Sequence, residues 1–265
     1  MKKFWGFLLV IVLMTSCGEY QSLLKSNDYN LVYKKAIEYY NKGDYQRAMN
    51  LLDGVRSVFV GQAKAQNIAY YRAFCSYNMK DYQIASDLFK QFIQTYPESS
   101  FAEECLYMMG FCDYKASPKP RLDQQVTEKA IREFQLYLSR YPYSMRKDKV
   151  NTYMDEMRDK LSYKAYLSAK NYYLREHYKA AVISLQNCLK DYPGSKYREE
   201  IMYMLFVSKY QMAVNSVEDK KVERYNNARE EYYYFADEYP NSRYAADVKK
   251  MYEDIEAYLE NYKFE

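Results

Sequence analysis

Glycine and proline are scarce, at 7 and 6 residues of 265, and His177 is the single histidine. Folds rich in tight turns draw on the first two, so their shortage argues against a loop-rich all-β or doubly wound architecture and for long, seldom broken helices. With one histidine and no C-x-x-C there is no ligand spacing for zinc and no H-E-x-x-H, and catalysis has little to work with. A phosphate-cradling glycine loop and a G-x-S-x-G elbow are also missing. Adjacent carboxylates such as Glu103 with Glu104 and Glu199 with Glu200 diverge by about 100° on a helix, so they read as solvated surface rather than an acid–base pair. The chain therefore reads as no enzyme, with no cofactor.

What remains is a chain that is 49% hydrophobic and 28% charged, the balance of a globular protein, with 35 tyrosines. The expected fold class is all-α. At the N-terminus Lys2 and Lys3 precede a short apolar run, Phe4 to Met14, and "LMTSC" then sets small residues before Cys17. The run is shorter than the ~18 apolar residues a bilayer span needs. This arrangement resembles a bacterial lipobox. The resemblance implies cleavage before Cys17, lipidation of that cysteine and an anchor of several acyl chains, which holds far more firmly than one. Loss of residues 1–16 leaves 37 basic against 35 acidic residues, a balance that does not suggest nucleic acid. The stretch "GEYQSLLKSN" would be a tether reaching roughly 30 Å if extended, within a lipidated segment 17–27. No acidic run follows Cys17, which favours the periplasmic side. Cys75, Cys105, Cys112 and Cys188 read as small buried fillers; a disulfide from Cys75 to Cys105 or Cys112 is the rival in an oxidising compartment.

A four-residue turn recurs as "YPES", "YPYS", "YPGS" and "YPNS". Fifteen residues before each proline stand Tyr82, Thr127, Tyr178 and Tyr225, followed at fixed offsets by Ala85, Ala130, Ala181 and Ala228, then by Phe89, Phe134, Leu185 and Tyr232. An earlier copy runs through Tyr45, Ala48 and Leu52, with Phe59 and Val60 in place of Tyr-Pro. Five copies result. The pattern resembles the second half of the tetratricopeptide repeat, a 34-residue pair of antiparallel helices. The first half should carry a small residue at the helix contact, and Ala36, Ala73 and Ala169 stand twelve residues before the marker alanine. In repeats three and five Gly110 and Ser208 take that place if eight residues are inserted between the helices, in "KASPKPRLDQ" and "NSVEDKKV". The extra stretch "MRKDKVNTYMDEMRDKL" carries helical spacing at Val150, Met154, Met157 and Leu161, so an elongated helix leads into repeat four. A last helix, "RYAADVKKMYEDIEAYLENY", caps a solenoid of about five helix pairs, with repeats one to three in 28–144 and the long helix, repeats four and five and the cap in 145–265. The turn itself is punctuation: proline ends one helix, and Ser99, Ser144, Ser195 and Ser242 cap the next, with Ser100 and Glu103 as a capping box.

A better candidate site lies on the first helices. At offsets −3, +1 and +4 from the small position stand Tyr33, Ile37 and Tyr40, then Tyr70, Phe74 and Tyr77, then Tyr107, Phe111 and Tyr114. Each set shares one helix stripe, and in the tetratricopeptide family these positions resemble those lining the groove. Repeat four softens to Tyr166, Lys170 and Tyr173, and repeat five to Leu205, Lys209 and Met212. Two readings stay open: the rings are core, or they form a surface where an extended, aromatic-rich peptide stacks.

A lipobox followed at once by five such repeats resembles the BamD family of outer-membrane assembly factors across the whole mature chain. "KLSYKAYLSAKNYYLREHYKAAVISLQNCLKDYPGS" and "YMMG" at residues 107–110 are the most specific matches. The resemblance implies a lipid-anchored scaffold on the periplasmic face of the outer membrane. It further implies that the N-terminal repeats receive unfolded β-barrel precursors and the C-terminal repeats hold a BamA-like barrel protein. Lys209, Arg229 and Tyr233 are the surface positions offered for the second contact. Repeat one departs from the pattern, with "VFVGQ" for the proline turn. A glycan-binding lipoprotein of the SusD kind, which resembles a much longer chain, and a structural coordinator of envelope machinery are the alternatives.

Overall fold

The computed structural model describes residues 18–262, all of whose regular structure is helical. The lipobox and Cys17 lie outside the described residues. A short helix α1 (18–24) is followed by α2 (Tyr29–Asn41), α3 (Tyr45–Val55), α4 (Ala63–Asn78), α5 (Tyr82–Thr95), α6 (Ala102–Ala116) and α7 (Gln125–Arg140). Then come α8 (Lys147–Leu174), α9 (Tyr178–Asp191), α10 (Arg198–Val214), α11 (Glu218–Glu238) and α12 (Ala245–Tyr262). The described residues divide into two units: 18–154 without 120–122, and 155–262 together with 120–122.

Helix pairing follows residue size. Ala36, Ala48, Ala73, Ala85 and Ala130 in the first unit, and Ala169, Ala181, Ser208 and Ala228 in the second, have no exposed surface. At each of these positions only a small side chain lets two helix backbones approach, and the large residues one turn on, Phe89, Phe134 and Leu185, fill the space beyond and are equally buried. In the second unit α12 closes the stack by burying Val248, Ile255 and Leu259 against α10 and α11. No helix among the described residues is long and apolar enough to cross a membrane.

The Tyr-Pro turns are superimposable in their backbone angles. Tyr96, Tyr141, Tyr192 and Tyr239 end their helices at φ −129, −128, −133 and −131° with ψ 60 to 66°, outside the α region that a following proline disfavours. Ser99, Ser144, Ser195 and Ser242 then accept at Oγ the N–H of Phe101, Arg146, Tyr197 and Tyr244, at 3.0 to 3.3 Å. The serines thus do not cap the helices as expected: each bonds the amide two residues on, which at α6 and α10 belongs to the residue just before the helix, and neither helix has a side-chain cap. The expected capping box does not form: α6 has no side-chain cap, and Glu103 turns instead to Tyr137 and Ser144.

The stretch read as an extended tether is helical over 18–24 and docked. Tyr20 and Leu23 are buried with Val32 and Leu52, Asn50 Nδ2 donates to the Tyr20 hydroxyl at 3.0 Å, and Lys35 pairs with Glu19 at 3.0 Å. The two inserted segments also differ. In repeat three residues 117–124 form a loop, whereas in repeat five α11 begins at Glu218, seven residues before its marker Tyr225. The proline-free "EDKK" opens the helix, and the carboxylates of Glu218 and Asp219 suit its N-terminal dipole.

Short turns of residues 42–44, 79–81 and 175–177 join the helices of repeats one, two and four. Each ends on a residue pair whose N–H groups close back on the helix: Gly43 and Asp44 on Tyr40 and Tyr39, Lys80 and Asp81 on Tyr77 and Ser76, Glu176 and His177 on Tyr173 and Tyr172. The first residue of each pair is left-handed, at φ 81, 68 and 60°. A glycine occupies only the first of these, and a side chain in that conformation is strained. Lys80→Gly is therefore expected to raise the unfolding free energy by about 0.5–1 kcal/mol, after the entropic cost of glycine is deducted. Urea unfolding midpoints check it.

Candidate functional site

The nine stripe residues fall on α2, α4 and α6 of the first unit, at the offsets read from the sequence. Eight are half-buried and Tyr107 is buried. Their inner edges belong to the core, since Phe74 packs edge-on to Phe89 at 5.0 Å and Tyr107 to Tyr137 at 5.8 Å. Along the helices the rings touch one another. Tyr70 lies 4.5 Å from Phe74 and 4.6 Å from Phe101, Tyr77 lies 6.2 Å from Phe111, and Phe111 stacks on Tyr107 and Tyr114 at 5.6 and 5.9 Å. In repeat one Tyr33 packs on Phe59 at 6.1 Å, so the residue that replaces a turn tyrosine faces inward, while Val60 in the proline position is exposed.

Several members were not read from the sequence. Tyr71 sits 4.9 Å from Tyr40, although it stands one residue off the stripe. Tyr153 of α8 lies 4.4 Å from Tyr114 and 5.4 Å from Phe111. The signal for it was the length of α8, whose early start carries an extra turn of helix alongside α6 within the first unit.

The carboxylate pairs are not solvated surface, and their roles divide. Glu103 Oε1 accepts from Ser144 at 2.7 Å and Tyr137 at 3.0 Å, tying the start of α6 to the turn after α7. Glu104 Oε2 accepts from the Tyr70 hydroxyl at 2.8 Å, linking repeat three to repeat two. Burial, then the Glu104 contact, push the Tyr70 hydroxyl far above the usual phenol range, so Tyr70 is a donor at all physiological pH. Arg146 stands 5.0 Å over the Tyr107 ring. In the second unit Glu199 accepts from Ser242 at 2.6 Å, and Glu200 from Lys170 at 2.7 Å, whose ammonium also donates to Tyr166. A cue existed in the spacing of 34 residues between Tyr70 and Glu104, one repeat length, but nothing in a single sequence marks which side chains reach across.

In chemical terms the face offers flat apolar surface with polar edges. Tyr40 is pushed up to about 12, chiefly by burial, with the Asn78 amide at 3.5 Å as a weak partner. The positions suit aromatic or aliphatic side chains that stack, with hydroxyls and amides at the margin for a peptide backbone.

In the second unit the corresponding positions are filled differently. Tyr166 and Leu205 are buried, and Lys209 is committed to Glu231 at 2.6 Å with both side chains under one-fifth exposed. Arg229 pairs with Glu256 at 3.6 Å and Asn226 at 2.7 Å, and Tyr233 is exposed. Cys75, Cys105, Cys112 and Cys188 are free and buried, and burial pushes the Cys75 and Cys105 thiols up to about 12. They are packing residues with little thiolate character.

Comparison with known proteins gives one match to a family model, described as YfiO, outer membrane lipoprotein, over residues 25–200 and 164–265. No curated protein matches the chain. Among solved structures, the chain is similar to the TPR2AB-domain:pHSP90 complex of yeast Sti1, with 14% identity over 86% of this chain and 98% of that one and a TM-score of 0.39. It is also similar to a TPR repeats protein from Bacteroides fragilis, with 12% identity, 88% and 99% coverage and a TM-score of 0.41. A third is the human IFIT1 dimer with PPP-AAAA, with 18% identity, 93% and 62% coverage and a TM-score of 0.31.

Proposed function

Since the chain belongs to the YfiO family of BamD-like outer-membrane lipoproteins, we propose that it is the scaffold and substrate receptor of a β-barrel assembly machine. In this reading it is lipid-anchored at Cys17 to the periplasmic face and performs no catalysis of its own. The aromatic face of α2, α4 and α6 receives unfolded barrel precursors that present aromatic residues, and repeats four and five hold a BamA-like barrel protein. The observation that carries the reading is the face itself. Three successive repeats present half-buried rings in mutual contact, prearranged by Phe89, Phe101 and Tyr137 beneath them. Such a platform binds by stacking with little entropy left to lose, because the rings are already fixed. Core packing alone does not require Tyr70, Phe74, Tyr77 and Phe111 to keep exposed surface.

Photo-crosslinking with peptides that end in an aromatic residue tests the receptor role. Labelling is expected on α2, α4 and α6, reduced about tenfold by Tyr70→Ala with Phe74→Ala, a loss of about 1.4 kcal/mol in binding. Circular dichroism of that variant must show retained helix, which separates lost binding from lost folding. Labelling confined to α9, α10 and α11 would contradict the assignment. For the second role, purification from a mild detergent extract should retain a BamA-like barrel protein.

A further inference from the structure

The second helices of repeats two and three carry a separate feature. Between α5 and α7, with α6 behind them, lies a cleft of ≈ 370 Å³, within the size range of ligand sites. Its floor is apolar: Leu106 and Met109 are buried, Ile93 is half-buried, and Leu136 is more than half exposed at the rim. Lys90, Lys129 and Arg132 stand around it. Their situations differ. Lys129 is committed, 2.9 Å from Asp113 and 3.7 Å from Glu133. Lys90 and Arg132 are exposed and have no carboxylate within ion-pair distance among the described residues. Two cations without an ion pair thus flank an apolar trough whose other polar side chains are Gln94 and the Glu133 carboxyl, which lies 3.7 Å from Lys129.

We propose that this cleft binds an amphiphilic monoanion, an aliphatic chain ending in a carboxylate, with the chain along Ile93, Leu106, Met109 and Leu136 and the carboxylate between Lys90 and Arg132. Charge complementarity sets the head group, since the guanidinium of Arg132 offers a fork that matches a carboxylate. The lining sets the tail. A peptide laid in the same trough would bury a run of backbone N–H and C=O groups with only the Gln94 amide and the Glu133 carboxyl to meet them, and every group left unmet is destabilising. An acyl chain carries no such groups. The site is distinct from the aromatic face and stands whether or not that face receives substrate.

Octanoate is the probe. The full chain, labelled with 13C at methionine methyls and held in zwitterionic nanodiscs, is titrated with octanoate while the Met109 methyl resonance is followed. A saturable shift is expected. Octyl glucoside, with the same tail and no charge, and octyltrimethylammonium, with the opposite charge, should give at least tenfold weaker responses. Lys90→Ala with Arg132→Ala should weaken octanoate binding at least tenfold; both side chains are exposed, so the fold is retained. A shift that does not saturate, an equal response to octyl glucoside, or binding indifferent to the double substitution overturns the proposal. So does tighter binding of the peptide N-acetyl-Leu-Glu-Leu-amide, which would make the cleft a peptide site.

Discussion

Replacing Phe134 by alanine is expected to lower the unfolding free energy of the first unit by about 3–5 kcal/mol, the range for removing a fully buried phenylalanine. Phe134 has no exposed surface, and its ring lies against the backbone of Gly110, with Tyr107 at 6.3 Å and Tyr153 at 5.9 Å. The converse change is informative because the contact is so close. A Cβ on Gly110 would meet Phe134 Cδ1 at 2.9 Å, shorter than real Cβ contacts, and Cε1 at 3.0 Å, so the ring would have to shift. The ring cannot swing away, since it is enclosed by those neighbours, so Gly110→Ala is expected to cost about 1–3 kcal/mol despite being a favourable helix substitution. The two sites share one contact and should not add. In a Phe134→Leu background, Gly110→Ala should cost distinctly less than alone. Urea unfolding of the four variants gives the cycle. A neutral Gly110→Ala would mean that the helix pair can open at no cost, and the packing argument for the repeat would fail.

That contact also shows what a sequence discloses. Gly110 was recognisable because the same steric demand recurs at Ala36, Ala73, Ala169 and Ser208, and a constraint repeated five times stands out from single-residue noise. The elongated α8 and the terminal α12 were legible for a related reason, since both carry long periodic apolar faces. Features made of one instance were not. The apolar docking of α1 uses two residues, Tyr20 and Leu23, too few for a period. Lys80 and Glu176 hide left-handed turns behind residues that do not announce them. Glu103 and Glu104 looked solvated because their partners, Ser144 and Tyr70, lie 41 and 34 residues away. For the candidate site, all nine positions came from offsets, yet their half-buried state did not. A stripe at i, i+4 and i+7 is written the same way whether it faces core, solvent or the boundary between them.

Glu133→Gln is expected to change how stability depends on pH. Glu133, on α7, is buried beside Asp113 of α6, which is itself 1% exposed and bonded to Ser86 of α5 at 3.0 Å. Lys129 lies 2.9 Å from Asp113, 3.7 Å from Glu133 and 3.9 Å from Asp87, and Lys90 also faces the group. One ammonium between two buried carboxyls cannot balance both charges, and Glu133 Oε2 meets no hydrogen-bond donor. Burial first, then the hydrogen bond and charge of Asp113, push the Glu133 carboxyl up to about 8, against the opposing pull of Lys129 and Lys90. Glu133 therefore keeps its proton rather than set a second negative charge in the buried space beside Asp113. In the unfolded chain Glu133 titrates near its ordinary value of 4.5. The sign follows from proton counts. Below that value both states hold the proton, and the contribution is fully present. Between it and about 8 the folded protein keeps a proton that the unfolded chain has released, so stability falls as pH rises through this window. The substituted glutamine cannot ionise, and its amide can donate to Asp113 in the proton's place. Relative to the wild type, the variant should therefore gain on the order of 2 kcal/mol between about pH 5 and about pH 8.5, after discounting for coupling and relaxation. Unfolding midpoints across that range decide it. A difference between variant and wild type that stays flat with pH would show that Glu133 is ionised in the fold, and that Lys129 balances both of its neighbours after all.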